Sequence, residues 1–190
     1  MIIKQLRPAI MSTIVIMIIT GLVYPGIVTG LARTFFPSQA KGSVVTVNGR
    51  AVGSSLLGQR FDQAWYFHPR PSAAGDGYDA TASSGTNKGP TDRKLADTLI
   101  AGAIASAEKD GAVKGRIPAD MVTSSASGLD PHISPANAAF QIARVAAARG
   151  ADPDKIRELV ASHTEGRQFG FLGEPRVNVL ELNLAVDKAF

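Results

Sequence analysis

Serine, aspartate and histidine crowd together once in this chain, in Thr123-Ser124-Ser125-Ala126-Ser127-Gly128-Leu129-Asp130-Pro131-His132. These residue types could supply a nucleophile, an orienting acid and a base. A serine hydrolase places its nucleophile on a G-x-S-x-G elbow, and Ser125 stands where an elbow around Ser127 needs glycine. Triads are also normally assembled from separate segments. The run therefore reads as a polar turn whose hydroxyls satisfy backbone groups ahead of a helix opening at Ser134. His68, His132 and His163 are far apart and form no H-x-H or H-E-x-x-H metal pattern. His163 reads as a helix-face residue near a C-terminus, where positive charge is tolerated. Gly85-Thr86-Asn87-Lys88-Gly89 sets a lysine among small residues without the spacing of a phosphate loop. No Asp-Lys-Thr-Gly stretch offers a phosphorylatable aspartate, and the chain has no cysteine, which removes disulfides and thiol chemistry. The chain is expected to hold no catalytic residue and no metal site.

What would position a surface of such residues is a membrane anchor. Residues 10–28 read IMSTIVIMIITGLVYPGIV, and no charge occurs between Arg7 and Arg33. Its ten Ile, Val and Leu residues contribute about −3 to −6 kcal/mol to insertion. A transmembrane helix is expected over residues 10–30, after a short flank at 1–9 and before a linker at 31–42. Tyr24 suits the far interface, and Pro25 should kink or loosen the helix there. Gly26 and Gly30, like Ala9 and Thr13, stand four apart and offer a small face for a partner helix, or simply a lipid-facing one. A cleaved signal peptide is the rival, with Lys4 and Arg7 before the run and Ser38-Gln39-Ala40 as a cleavage site. The run exceeds the roughly 7–15 apolar residues usual there.

All of the net charge of +4 lies at Lys4, Arg7, Arg33 and Lys41; residues 42–190 hold equal numbers of bases and acids. That suits anionic lipid and leaves no basic footprint for nucleic acid. The charge bias across the run is small, and points weakly to a cytoplasmic amino terminus.

Residues 43–190 are expected to form a soluble mixed α/β (α+β) domain with an early β-rich part. Alternation over 43–47, then Asn48-Gly49, then 50–52, predicts a hairpin. Residues 53–59 and 64–67 read as further short strands, ended by Pro69 and Pro71. Residues 72–90 are small and polar and read as a long surface loop. Helices are predicted from Thr91, with Leu95, Leu99 and Ala103 in phase, to Gly111 and Gly115. Others are predicted from Ser134-Pro135, burying Ala139, Ile142, Val145 and Ala146 up to Gly150, and from Asp152-Pro153, with Ile156, Leu159, Val160 and His163 on one face. Residues 175–179 read as a strand and 180–189 as a helix with Leu180 and Leu184 on one side. Trp65, Tyr66, His68 and Arg70 are candidate partner contacts, as aromatic anchors and a bidentate donor on a proline-stiffened turn. The competing reading puts Trp65 and Phe67 in the core.

Taken in order, a series of blocks is similar to the C subunit of the Kdp potassium-transporting ATPase. They are Leu6-Arg7-Pro8-Ala9, Thr20-Gly21 with Tyr24-Pro25, Gly53-Ser54 with Gly58-Gln59, and Tyr66-Phe67-His68 with Arg70-Pro71-Ser72. They continue through Ala82-Ser83-Ser84-Gly85, Val122-Thr123 with Ser125 to Asp130, Gln141-Ile142 with Arg144-Val145-Ala146, and Val177-Asn178-Val179 with Glu181 to Leu184. The resemblance implies a single-span, non-catalytic subunit in the bacterial inner membrane. Its implied partners are a channel-like potassium-binding subunit, a P-type ATPase subunit and membrane lipid. It also implies a catalytic chaperone that raises the pump subunit's ATP affinity, so that ATP would be shared with that subunit. Gln141 matches a glutamine proposed to contact nucleotide; the plainer reading is a partly exposed helix residue beside a buried Ile142. With the amino terminus inside, the domain lies in the periplasm, away from cytosolic ATP, so a cap over the potassium entrance is the structural alternative. A secreted periplasmic enzyme using His68 or Ser127 is the reading from another class.

Overall fold

A computed structural model describes residues 2–89, 91–109 and 117–190. The chain divides into a unit ending at Val52 and a second running from Gly53 to Phe190.

The first unit is a rod. Helix α1 (Ile2–Ile18) continues through a π-helical turn, Ile19–Val23, into α2 (Tyr24–Phe35). Among the described residues it is the one helix long and apolar enough to cross a membrane. It spans Lys4–Phe35, 32 residues of mean hydropathy 2.2, and none of that apolar stretch is buried within the chain. At 1.5 Å per residue it is about 48 Å long, against a hydrocarbon thickness of about 30 Å. The loosening expected at Pro25 sits in the turn just before it. Pro25 has no N–H for the Gly21 carbonyl and its ring crowds that carbonyl. The helix widens there, and the Tyr24 N–H bonds Ile19 O, five residues back. The rod's hydroxyls bond its own carbonyls: Thr13 to Ala9 O at 2.9 Å, Thr20 to Ile16 O at 2.7 Å, Thr34 to Gly30 O at 2.8 Å. That leaves them no open demand in an apolar solvent. Phe36, forced out of the helical region by Pro37 (φ −134°, ψ 57°), ends it. A short α3 (Pro37–Ala40) follows, then the hairpin β1 (Val44–Val47) and β2 (Arg50–Ser54). Asn48 and Gly49, at φ 50° and 76°, make the tight turn their types require.

In the second unit, a π-helical stretch Leu95–Ile100 leads into α4 (Ala101–Lys109), and α5 (Ala119–Val122) follows. Asp92, not Thr91, receives the first amides, from Lys94 and Leu95. The predicted stop at Gly111 and Gly115 lies outside the described residues. Next come β3 (His132–Ile133), α6 (Pro135–Arg149), α7 (Pro153–Ser162), β4 (Thr164–Glu165), β5 (Arg176–Asn178) and α8 (Val179–Ala189). The sheet is antiparallel in the order β3-β5-β4, with His132 opposite Asn178 and Thr164 opposite Val177. Ser134 caps α6 through Asn137 N, Asp152 caps α7 through Asp154 N, and Asn178 caps α8 through Glu181 N. Gly150, left-handed at φ 62°, ends α6, with Ala151 N returning to Ala146 O.

The core joins Phe67, Ile133, Ala138, Ile142, Val145, Ile156, Val160, Val177, Leu182 and Val186. Of the expected helix-face positions, Ile142, Val145 and Ala146 in α6 and Leu180 in α8 are buried. In α6 it is Ala138 that is buried, while Ala139 is exposed. In α8, Val179, Leu182, Asn183 and Val186 face inward with Leu180, and Leu184 is half-buried. An N-terminal membrane helix followed by a mixed helix and sheet domain is the fold expected. The strands predicted at 53–59 and 64–67 are not there beyond the end of β2; residues 55–67 run as turns and irregular chain.

Candidate functional site

The reason lies in where the backbone of residues 64–68 finds its hydrogen bonds. Side chains from α6 and α8 supply them. Asn183 accepts from Phe67 N at 2.8 Å and donates to Phe67 O at 3.0 Å. Gln141 does the same for the next residue, accepting from His68 N at 2.7 Å and donating to His68 O at 3.0 Å. Arg144 donates to Ala64 O at 2.5 Å and Tyr66 O at 3.0 Å, and Arg149 to Trp65 O at 2.8 Å. Amides and guanidiniums thus do what a neighbouring strand would do, and all five carbonyls of the stretch are met. The apolar Phe67 ring, fully buried, plugs the core between them.

Gln141 itself is 3% exposed, so the expectation of a partly exposed residue is wrong. The amide faces inward to serve His68 rather than outward beside Ile142. Its Oε1 also accepts from Arg144 at 2.6 Å and its Nε2 also donates to Asn137 Oδ1 at 2.7 Å. All four of its hydrogen-bonding positions are engaged. Asn137 in turn donates to Asp120, which holds Ser134 N at 2.7 Å and Ser134 Oγ at 3.0 Å.

Of the four predicted contact residues, three turn into the domain. Tyr66 donates to Asp187 at 3.0 Å, its ring lies 5.3 Å from the Arg149 guanidinium, and Phe61 meets it edge-on. Burial and Asp187 raise its pKa. His68 Nε2 sits 3.1 Å from Gln63 O. Arg70 reaches Asp130 at 2.9 Å and Thr123 Oγ1 at 3.5 Å, two acceptors instead of one carboxylate. Trp65, 43% exposed, keeps an open surface; Phe67, not Trp65, is core. Gly26 and Gly30 are open on the rod, with nothing within 4 Å of where a Cβ would project.

Beside the clamped turn opens a cleft of about 530 Å³, walled by Arg60, His68, Arg70, Tyr78, Asn137 and Gln141 with their neighbours. Burial works to raise the Asp130 carboxyl, but hydrogen bonds from His132 and Arg70 outweigh it and hold the pKa down at about 2. Tyr78 moves the other way. Burial first, then the Asp130 charge, pushes its hydroxyl up, and it stays protonated to donate to Arg70 O. Arg60 faces Asp62 at 3.6 Å, so both guanidiniums on the wall already meet carboxylates.

The hydroxyl-rich run near Asp130 is a structural hub. Ser125 Oγ accepts from Gly128 N at 2.7 Å and Ser127 Oγ from Leu129 N at 3.1 Å. Three other segments close on it. Gly58 N donates to Leu129 O, Ser84 N to Ser127 O, and Ser72 Oγ to Gly128 O. The approach is tight enough to need glycine. A Cβ on Gly58 would fall 2.5 Å from Asp130 O, and one on Gly128 (φ +70°) 2.7 Å from Ala74 N. Among the described residues, no three His, Asp or Glu side chains gather as a metal site. Sequence reasoning passed over Arg149 and Asp187, and it assigned no part to Asn137, Arg144 or Asn183. The available signal was Asn183 and Asn137 at in-phase core positions of amphipathic helices, where an amide must be bonding something.

These converging segments are the blocks that carry the resemblance, and comparison extends it over the chain. A family model described as "K+-transporting ATPase, c chain" matches residues 6–188. A potassium-transporting ATPase KdpC subunit of Gemmatimonas aurantiaca is 60% identical over 185 residues, 97% of this chain and 92% of the relative. The KdpC subunit of Koribacter versatilis is 55% identical, covering 97% of this chain and 94% of the relative. That of Geobacter sulfurreducens is 53% identical, covering 97% of each. On a match of this length and identity, the chain belongs to the KdpC family of K+-transporting ATPase c chains.

Proposed function

We propose that the chain is a non-catalytic accessory subunit of an ATP-driven potassium uptake complex in the bacterial inner membrane. The rod holds it there as a single-pass anchor with the amino terminus cytoplasmic, and the domain lies in the periplasm as a cap near the potassium entrance. Its partners are the channel-like potassium-binding subunit, the P-type ATPase subunit and membrane lipid. The observation that carries this reading is the pairing of an unburied apolar rod with a domain whose Asn183, Gln141, Arg144 and Arg149 side chains are spent on its own backbone. Such a domain is built as a rigid body to be placed, with the two guanidiniums of its cleft wall already paired.

The second role implied by the family is that of a catalytic chaperone, with Gln141 touching ATP bound to the pump subunit. Gln141 would first have to release His68 or Asn137. The cap reading asks for no such rearrangement, and it is the one we favour. The secreted enzyme has no support: Ser127 and Ser125 spend their oxygens on backbone amides, and the family match covers the anchor.

The chain has no cysteine, so one introduced at exposed Ala161 is a unique probe. Ala161→Cys is expected to react with an impermeant maleimide in intact cells once the outer membrane is permeabilised. Reaction only after lysis of the inner membrane would place the domain inside and overturn the cap.

A further inference from the structure

The loop between β4 and β5 breaks the pattern of the domain surface. Phe169, Phe171 and Leu172 are 88%, 69% and 47% exposed and nearly consecutive. Single exposed apolar residues are ordinary; three on one short tip mark a contact surface. The tip is also fixed in shape. Gln168 and Leu172 exchange both backbone hydrogen bonds at 2.9 Å, and Phe171 N returns to Gln168 O. Phe169 is held at φ 52°, a left-handed conformation rare for an aromatic residue, with Gly170 and Gly173 beside it at 82° and 74°. A strained residue that shows its ring to solvent is not held for the core.

The charges at the loop base choose between occupants. Arg167 grips both oxygens of Glu174, at 2.8 and 2.7 Å, and Arg176 bonds Glu165 at 2.9 Å. A loop made for an anionic lipid surface would leave its guanidiniums unpaired. Here they are neutralised, and the loop presents a rigid, uncharged, aromatic knob. Pre-organised aromatic anchors of this kind suit a shaped protein pocket.

We infer that residues 169–172 dock into an apolar, uncharged socket on another subunit of the ATPase complex. The inference rests on the subunit reading, and is independent of the cap and of orientation. A photoreactive benzophenone residue placed at position 171, with Lys155 on α7 as the control position, tests it in the full-length chain co-expressed with its complex. The expected result is a cross-link to another subunit from position 171 and none from position 155. Cross-links to lipid alone, to a second copy of this chain alone, or to nothing would overturn it. If the chain purifies from detergent without any other subunit, the subunit reading falls and the inference with it.

A second variant guards against a merely structural loop. Phe169→Gly relieves the left-handed strain while removing the ring. The isolated chain is expected to melt at the same temperature or higher, yet leave the complex at least tenfold faster in detergent. Unchanged release would overturn the docking role.

Discussion

Asp130 takes bonds from Arg70 and from the His132 amide while standing half-buried beneath Tyr78, and its depressed pKa is a stability term. The folded value of about 2 lies below the ordinary value of about 3.9. The contribution is therefore full above about pH 4 and is lost as pH falls through 2. Asp130→Asn is expected to cost about 1–2 kcal/mol at pH 7. The gap to the unsubstituted domain should shrink between pH 4 and 2, as read by urea melts across that range. Gln141 gives a second expectation. Gln141→Glu keeps the shape but replaces two donors by an acceptor facing His68 O and Asn137 Oδ1. A loss of about 2–4 kcal/mol is expected from the unmet carbonyls and the buried charge. A variant of unaltered melting temperature that lost only ATP dependence would shift the balance to the nucleotide role. The bonds from Arg70 to Asp130 and between Gln141 and His68 were not legible beforehand, since those partners lie 60 and 73 positions apart.

Elements were legible where local chemistry dictates them. The Asn48-Gly49 hairpin, the capped starts at Ser134 and Asp152 and the apolar rod each follow from a few adjacent residues. Elements that depend on distant partners were not. Residues 64–67 carry the aromatic pattern of a strand, yet Asn183, Arg144 and Arg149 take the place of the neighbouring chain. The two-residue strands β3 and β4 are too short to leave a periodicity, and they exist because β5 lies between them. The α6 cap does two jobs, since Ser134 Oγ both accepts from Asn137 N and donates to Asp120. Ser134→Ala is accordingly expected to cost about 1–2 kcal/mol, at the upper end for a cap. Asp120→Asn in the same background should add little, because the two share one network; a double-mutant cycle reads the coupling.

At the scale of the whole molecule, the two units divide their labour along the chain. All of the net charge flanks the rod, and the core cluster is drawn from residues 67–186 with Phe61 at its margin. A chain starting at Gly53 keeps every one of those core residues, together with the Asn183, Gln141, Arg144 and Arg149 clamps. It is therefore expected to fold alone, remain soluble without detergent, and melt within a few degrees of the full-length protein. Phe67→Ala in that shortened chain removes the plug those clamps surround and should cost about 3–5 kcal/mol, enough to leave most of it unfolded at 37 °C. Circular dichroism melts of the three chains decide the matter. If the shortened chain is unfolded while the full-length protein is stable, the rod contributes to the fold itself and is more than an anchor. If it folds, what the rod adds is location, and the docking of the Phe169–Leu172 tip can be measured against the complex with the anchor removed.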